Sequence, residues 1–313
     1  MAYPHVPFPV DVPLTSTLFH AAPFTSNAST GWSSSCNECT NSVWSTSAPQ
    51  SSLNFNFWGW DVAFDGQVQG SMNVKFILDG LETTLNPANG TLFAIKDLDN
   101  LKEHSLSLTV QSAEPGSLLS VNQARINAST FSDDTFPFAQ WELPSNDGAI
   151  NWSGFTQQPS AAGSFSPATY VSSGVGNTGS MTYNGSTVII YGPCSPTSGL
   201  LKVSIDNQDT QTVNTSSPIT SPNCILYQSR GYSALALHTL SFSTESDAPV
   251  SINHLSFFRV LEHSDSGDGV APGAIVGGVI GGIVLIAILI VAYSMRSRKT
   301  RQKINRAFTM LCS

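Results

Sequence analysis

Trp58 and Trp60, two indoles separated by a single glycine, are the side chains of this 313-residue chain best suited to recognising a ligand. A flat apolar ring with a polar edge stacks well on the face of a sugar, and aromatics left at a surface often mark binding sites. By strand parity both lie off the Phe55/Phe57 face and flank a phase change at Gly59, which would present them near a sheet edge. The competing expectation is packing against the N-terminal loops or a neighbouring unit. Cysteine offers a second chemistry: Cys36 with Cys39 and Cys194 with Cys224 make two pairs, an even number that suits an oxidising compartment, and Cys312 stands apart. A Cys194–Cys224 bridge would close a loop of about thirty residues, worth roughly 3 to 4 kcal/mol on the loop-entropy picture. Cys36-Asn-Glu-Cys39 has redox-motif spacing but no βαβ context, which favours a small local disulfide. Zinc would need a second ligand pair at matching spacing, and none is present.

Catalytic motifs are missing. There is no G-x-S-x-G elbow, H-E-x-x-H pair or P-loop, so the sequence nominates no catalytic residue, metal or cofactor. Two carboxylates can run glycoside hydrolysis, but the seven glutamates stand singly and only a fold could pair them. Asp97 with Asp99, or Asp133 with Asp134, could hold Ca²⁺ through oxygen ligands; the plainer reading is solvated turn carboxylates. His104 and His238 occupy equivalent positions at strand starts, which predicts a structural role at a turn or edge.

The elements that must position these residues read as strands. Leu53, Phe55 and Phe57 alternate with Asn54 and Asn56, and after Gly59 the apolar face continues through Val62 and Phe64 to Gly66. Val74 to Leu78 ends in the turn signal Asp79-Gly80, and His104 to Val110 and Leu119 to Ile126 add two more strands. Met1 to about Ser51 reads as loops with one or two short strands, Trp32 and Trp44 being isolated aromatics. The second half repeats the plan. Phe55, Phe57, Gly59, Val62, Phe64 and Gly66 correspond to Met181, Tyr183, Gly185, Val188, Ile190 and Gly192 at a constant offset of 126. Asp79-Gly80 then matches Asp206-Asn207, His104-Ser-Leu-Ser-Leu matches His238-Thr-Leu-Ser-Phe, and Leu119-Ser-Val-Asn matches Val250-Ser-Ile-Asn. The expected fold is therefore all-β: two tandem antiparallel β-sandwich domains, residues 1–130 and 131–260, joined near Ser129 to Asp134. Ser153 to Ser180 reads as a Gly/Ser/Pro-rich insertion of the second unit. Asn184 and Ser186 stand where the first unit has Trp58 and Trp60, so only the first unit is expected to bind through indoles.

Phe57-Trp-Gly-Trp-Asp-Val-Ala-Phe-Asp-Gly66, with Phe76-Ile-Leu-Asp-Gly80 and His104-Ser-Leu-Ser-Leu-Thr-Val110, resembles the pattern of galactose-binding-like jelly-roll domains. Tandem pairs of these precede a single span in a group of membrane proteins of basidiomycete fungi, and GAIVGGVIGGIVL with its basic flank is similar to the membrane segments of that group. The resemblance implies a jelly-roll architecture for both units. It implies no particular activity, because related folds bind sugars, lipids or peptides.

Gly273 to Tyr293 holds no charged residue and as a helix would reach roughly 30 Å, the thickness of a bilayer core. The expectation is a stalk at 261–272, a transmembrane α-helix at 273–294 and a basic tail at 295–313. Arg296, Arg298, Lys299, Arg301, Lys303 and Arg306 follow the span with no acidic residue after them, which places the tail in the cytoplasm, attracted to anionic lipid, and the rest outside, at the plasma membrane. Gly273, Gly277 and Gly281 form a ridge through which a second copy of the helix could pack as a homodimer. Before the span there are seven basic residues against twenty-one acidic ones, a net of −14 that would repel nucleic acid. Sequons at Asn27, Asn89, Asn127, Asn151, Asn184 and Asn214 permit glycosylation without arguing for it, since about that many arise by chance at this composition. Pro4, Pro7, Pro9 and Pro13 break up the first residues, so the sequence as it stands shows no signal peptide; a first exon missing from this sequence, translocation driven by the span, or a tail-anchored protein with cytosolic domains are the alternatives. Together these features predict a membrane protein whose outer part binds or senses wall or external glycans. A tethered glycan hydrolase or esterase, and a structural or partner-binding protein, are the rivals.

Overall fold

The computed structural model describes residues 5–36, 42–83, 90–131, 138–233 and 236–260. The expected span, its glycine ridge and the basic tail lie outside them, as do Cys39, Asn89, Asp133 and Asp134. Among the described residues there is no helix long and apolar enough to cross a membrane. The fold is all-β, and every pairing between its strands is antiparallel.

In the first half a six-stranded sheet runs in the order Ser33–Ser34, Trp44–Thr46, Leu118–Phe131, Asp61–Gln69, Thr91–Ile95, with His5–Pro13 also paired to Leu118–Phe131. It faces a five-stranded sheet in the order Phe19–Ala22, Ser52–Trp58, Glu103–Ala113, Met72–Leu78, Leu81–Thr83. The alternation read in the sequence fills the space between them. Phe55 meets Phe64 edge-on at 5.5 Å and Phe76 meets Phe93 at 4.7 Å, ring pairs that add specific geometry to the buried apolar area.

In the second half a four-stranded sheet runs Phe138–Pro144, His254–Val260, Val188–Cys194, Ser221–Gln228. It faces a five-stranded sheet in the order Asn151–Ser153, Thr178–Asn184, Leu237–Thr244, Leu200–Ile205, Asp209–Asn214. A core of Met181, Tyr183, Ile190, Val203, Leu226, Leu240 and Phe242 lies between them. The disulfide Cys194–Cys224 pins two strands of this half, its Cα atoms 6.0 Å apart. Cys36 is also in a disulfide.

The duplication extends to the hydrogen bonds. His104 is paired with Phe57 and His238 with Tyr183, and both histidines are buried. His104 Nδ1 lies 2.8 Å from Asp79 Oδ2 and Nε2 lies 2.9 Å from the Asp99 carbonyl; His238 repeats this with Asp206 at 2.7 Å and the Ser233 carbonyl at 2.8 Å. The predicted structural role of the two histidines is thus a latch that ties a turn to a strand start. Asp79 and Asp206 take left-handed φ values of 51° and 54°, a conformation that aspartate tolerates better than most residues. Gly66 and Gly192 show the same equivalence. A Cβ on either would fall 2.2 Å from the Ser120 carbonyl oxygen or 1.9 Å from that of Ser251, so only glycine lets the strands approach.

Two sequence expectations need correction. The N-terminal residues hold four strands where one or two were expected, His5–Pro13, Phe19–Ala22, Ser33–Ser34 and Trp44–Thr46, and Trp32 and Trp44 are fully buried core residues. Ser153 to Ser180 is not an insertion. Phe155–Pro159 and Ala168–Ser172 pair as a hairpin that joins Ser251–Ile252, just as Ser33–Ser34 and Trp44–Thr46 join the equivalent Leu118–Phe131.

The halves meet through apolar contacts. Ile189, Ile219, Ile225 and Phe258 belong to the core cluster of the first half, Phe8 stacks on Phe258 with ring centroids 3.4 Å apart, and Ser16 and Thr17 donate to the Ile225 carbonyl.

Candidate functional site

The structure separates the two predicted indoles. Trp58 ends the strand Ser52–Trp58, and its backbone is clasped by the buried Gln228, whose Nε2 donates to the Trp58 carbonyl at 2.8 Å while its Oε1 accepts from the Trp58 N–H at 3.4 Å. Its half-buried ring lines a cleft of about 230 Å³ at the seam between the halves. Trp60 lies beyond the Gly59 bend, its N–H donating to the Asn127 carbonyl and its carbonyl accepting from Leu98, and it does not line the cleft.

Glu103 sits directly across the strand pair from Trp58 and completes the contribution of the first half. All other lining residues come from the second half: Asp209, Thr210, Gln211, Tyr227, Arg230 and Tyr232. Asp206 and Asn207, at φ 54° and 56°, turn the chain sharply so that Asp209–Asn214 pairs back on Leu200–Ile205 and delivers Asp209 to Gln211 to the seam. The buried strand Ser221–Gln228 supplies Tyr227 and runs on to Arg230 and Tyr232.

These side chains are locked together. Arg230 donates from Nε and Nη2 to Asp209 Oδ2 at 3.1 and 2.6 Å, Tyr232 OH donates to the same oxygen at 2.9 Å, and the guanidinium lies 4.5 Å above the Tyr232 ring. The Arg230 hydrogen bonds, helped by Tyr232, hold the Asp209 carboxyl below its ordinary range. Burial pushes the Tyr227 and Tyr232 phenols up, so both stay neutral donors. Across the seam Gln211 Nε2 donates to Glu103 Oε1 at 3.3 Å. The result is an aromatic wall beside a fixed row of planar hydrogen-bonding groups, the combination that recognises a ring with one apolar face and hydroxyls around its rim. Asp209, held ionised, is fitted to accept hydrogen bonds and poorly fitted to donate a proton.

At the equivalent place, the described residues of the first half form no such cluster. Strand register puts Leu81, Lys96 and Leu98 where the second half has Asp209, Arg230 and Tyr232. Sequence reasoning passed over Tyr227-Gln-Ser-Arg-Gly-Tyr232, although two phenols and one of the seven cations ahead of the span within six residues were a visible signal.

The remaining candidates lie away from the cleft. Asp97 N–H donates to Asp61 Oδ1, Asp99 Oδ1 accepts from the Leu101 N–H, and both carboxylates belong to a turn. Asn27, Asn151 and Asn214 are exposed, whereas Asn127 and Asn184 are half-buried, with Asn127 Nδ2 donating to Asp61 Oδ2 at 3.0 Å. The described residues bring together no cluster of three or more metal-ligating side chains.

No protein-family model matches this chain, and neither does any curated protein. Among solved structures it is similar to a Paenibacillus xanthan lyase, at 11% identity and TM-score 0.31, covering 83% of this chain and 26% of that one. A two-domain esterase active on acetylated mannans gives 12% identity and TM-score 0.32 over 40% of this chain and 37% of its own. A truncated AlyQ with CBM32 and alginate lyase domains gives 10% identity and TM-score 0.23 over 84% and 96%. The chain spans between a quarter and two fifths of the xanthan lyase and esterase chains it matches. Overlaps this slight say nothing of what this chain binds.

Proposed function

We propose that this chain is a single-pass membrane protein whose outer, jelly-roll β-sandwich pair binds glycans in the cleft at the seam. One observation carries the reading: Trp58 from the first half faces Asp209, Arg230 and Tyr232 from the second, so an aromatic face and a rigid set of donors and acceptors converge on one hollow. The anchor in this reading is Gly273 to Tyr293, with its basic flank in the cytoplasm and the sandwiches at the cell exterior. The site therefore belongs to both repeats and not to the first alone.

A second reading, a tethered glycan hydrolase, has in its favour that Glu103 and Asp209 line the same cleft. Against it, Arg230 and Tyr232 already place three hydrogen bonds on Asp209 Oδ2, which blunts that oxygen as a nucleophile or base and favours binding over hydrolysis.

The test uses the full-length chain in detergent micelles, screened against immobilised neutral polysaccharides with release of reducing ends followed in parallel. Binding that weakens about tenfold in both Trp58→Ala and Arg230→Ala, with no reducing ends formed, supports the proposal; the tenfold figure corresponds to about 1.4 kcal/mol, within reach of one aromatic contact. Binding to no polysaccharide, or binding indifferent to both substitutions, sinks it. Turnover that vanishes in Glu103→Gln would replace it with the hydrolase.

A further inference from the structure

A second hollow, of about 390 Å³, lies on the outer face of the five-stranded sheet of the second half. It is floored by small polar side chains. Strand register aligns Ser180 with Ser241, Ser241 with Ser204, and Ser204 with Thr210, so four hydroxyl residues form one row across four adjacent strands. With strands about 4.8 Å apart, that row is roughly 14 Å long. Thr178, Lys202 and Ser243 border it. Thr210 Oγ1 donates to Ser204 Oγ at 3.0 Å and Ser241 Oγ donates to the Ser204 carbonyl, so three of the four hydroxyls are tied to a neighbour, and each hydroxyl oxygen retains acceptor capacity.

Thr210 lines both hollows. Neighbouring residues of a strand face opposite sides, so along the edge strand Asp209–Asn214 the flanking Asp209 and Gln211 serve the cleft while Thr210 stands on the rim of the groove. The charges near the two hollows are spoken for: Arg230 is bonded to Asp209, and Lys202 has Glu245 at 3.9 Å. Glu103 adds an acid that no cation is shown to pair. Among the described residues lining the two hollows, every cation has a carboxylate beside it, which disfavours an anionic glycan.

We propose that cleft and groove form one continuous site for a linear, uncharged oligosaccharide, one end gripped beside Trp58 and the following units laid over the Ser180, Ser241, Ser204, Thr210 row. This rests on the glycan reading of the cleft and goes beyond it in naming ligand length and charge.

The experiment is titration calorimetry of the full-length protein with three neutral ladders, cello-, laminari- and manno-oligosaccharides of two to six units, and with an oligogalacturonate ladder as the acidic control. For at least one neutral ladder, affinity is expected to rise at least tenfold from the dimer to the pentamer and then level off. Ser204→Leu, and independently Thr178→Leu at an exposed groove position, should flatten that rise while leaving dimer affinity within about twofold, which also reports that the variants are folded. A length series that is flat in the unaltered protein overturns the proposal, as does a rise that neither groove substitution touches or equal binding of the acidic ladder. Absence of binding at every length strikes instead at the glycan reading beneath it.

Discussion

His238 Nδ1 lies 2.7 Å from Asp206 Oδ2, and the same pair recurs in the first repeat as His104 and Asp79 at 2.8 Å. In both, the other carboxylate oxygen accepts from the backbone N–H after the histidine, Thr239 at 2.8 Å and Ser105 at 2.9 Å. One aspartate thus fixes a turn, a strand start and a buried ring. Asp206→Ala and Asp79→Ala should each cost about 1–3 kcal/mol, since each leaves a buried imidazole nitrogen without its partner. Asp→Asn, which keeps the left-handed turn, should cost less at both sites. Urea unfolding of the four variants checks this, and costs that differ several-fold between the repeats would contradict the equivalence.

Stability should fall on mild acidification because of one histidine. Burial lowers His254 from its ordinary 6.5 to about 4; around it are the Glu142 carboxylate at 3.4 Å, Asn253, and the rings of Tyr191 and Phe165. Between pH 6.5 and about 4 the unfolded chain takes up a proton that the folded chain refuses, so stability declines as pH falls through that window, by up to about 3 kcal/mol. Burial raises the carboxyl of Glu142, so the folded chain gains a proton there earlier than the unfolded one and opposes part of the loss. Melting curves from pH 7 to 4 should show a flatter decline in His254→Gln and a steeper one in Glu142→Gln; slopes identical to the unaltered protein would refute the assignment.

Removing the Cys194–Cys224 bridge by paired serine substitution should lower stability by about 3 to 4 kcal/mol, the chain entropy that a separation of 30 residues returns to the unfolded state. The readout is the denaturant midpoint without reductant. A change below about 1 kcal/mol would show that residual structure in the unfolded chain already restrains this loop.

Glycan occupancy offers a test of topology by residue. If the sandwiches pass through the secretory lumen, peptide-N-glycosidase should release mass from the full chain, with Asn27, Asn151 and Asn214 as the modified positions. Asn127 should stay bare, because its amide is bonded to Asp61 within a strand. Peptide mapping that finds Asn127 fully occupied would contradict this, and an untreated chain of unmodified mass would favour a cytosolic location.

Much of this fold was legible because two-residue periodicity survives wherever one strand face is buried, as in Leu53, Phe55 and Phe57, and because the repeat keeps the same residue kinds at the same offsets. Prolines hid the first strand. Pro7, Pro9 and Pro13 look like breaks, yet their alternate spacing puts every missing N–H on the edge of His5–Pro13 turned away from Leu118–Phe131. The cleft was half legible. Trp58 stood out by type, but Arg230 and Asp209 are brought to it by strand pairings that no local pattern encodes.

In each repeat the opening strand lies beside the closing one, His5 opposite Phe131 and Phe138 opposite Val260. A module whose two ends meet can be copied head to tail without rethreading either copy, as bricks are laid in a course. Two copies in one chain also have what a single module lacks, an internal boundary where non-equivalent strands face each other; the cleft lies at that boundary, while the latch is the same inside each copy.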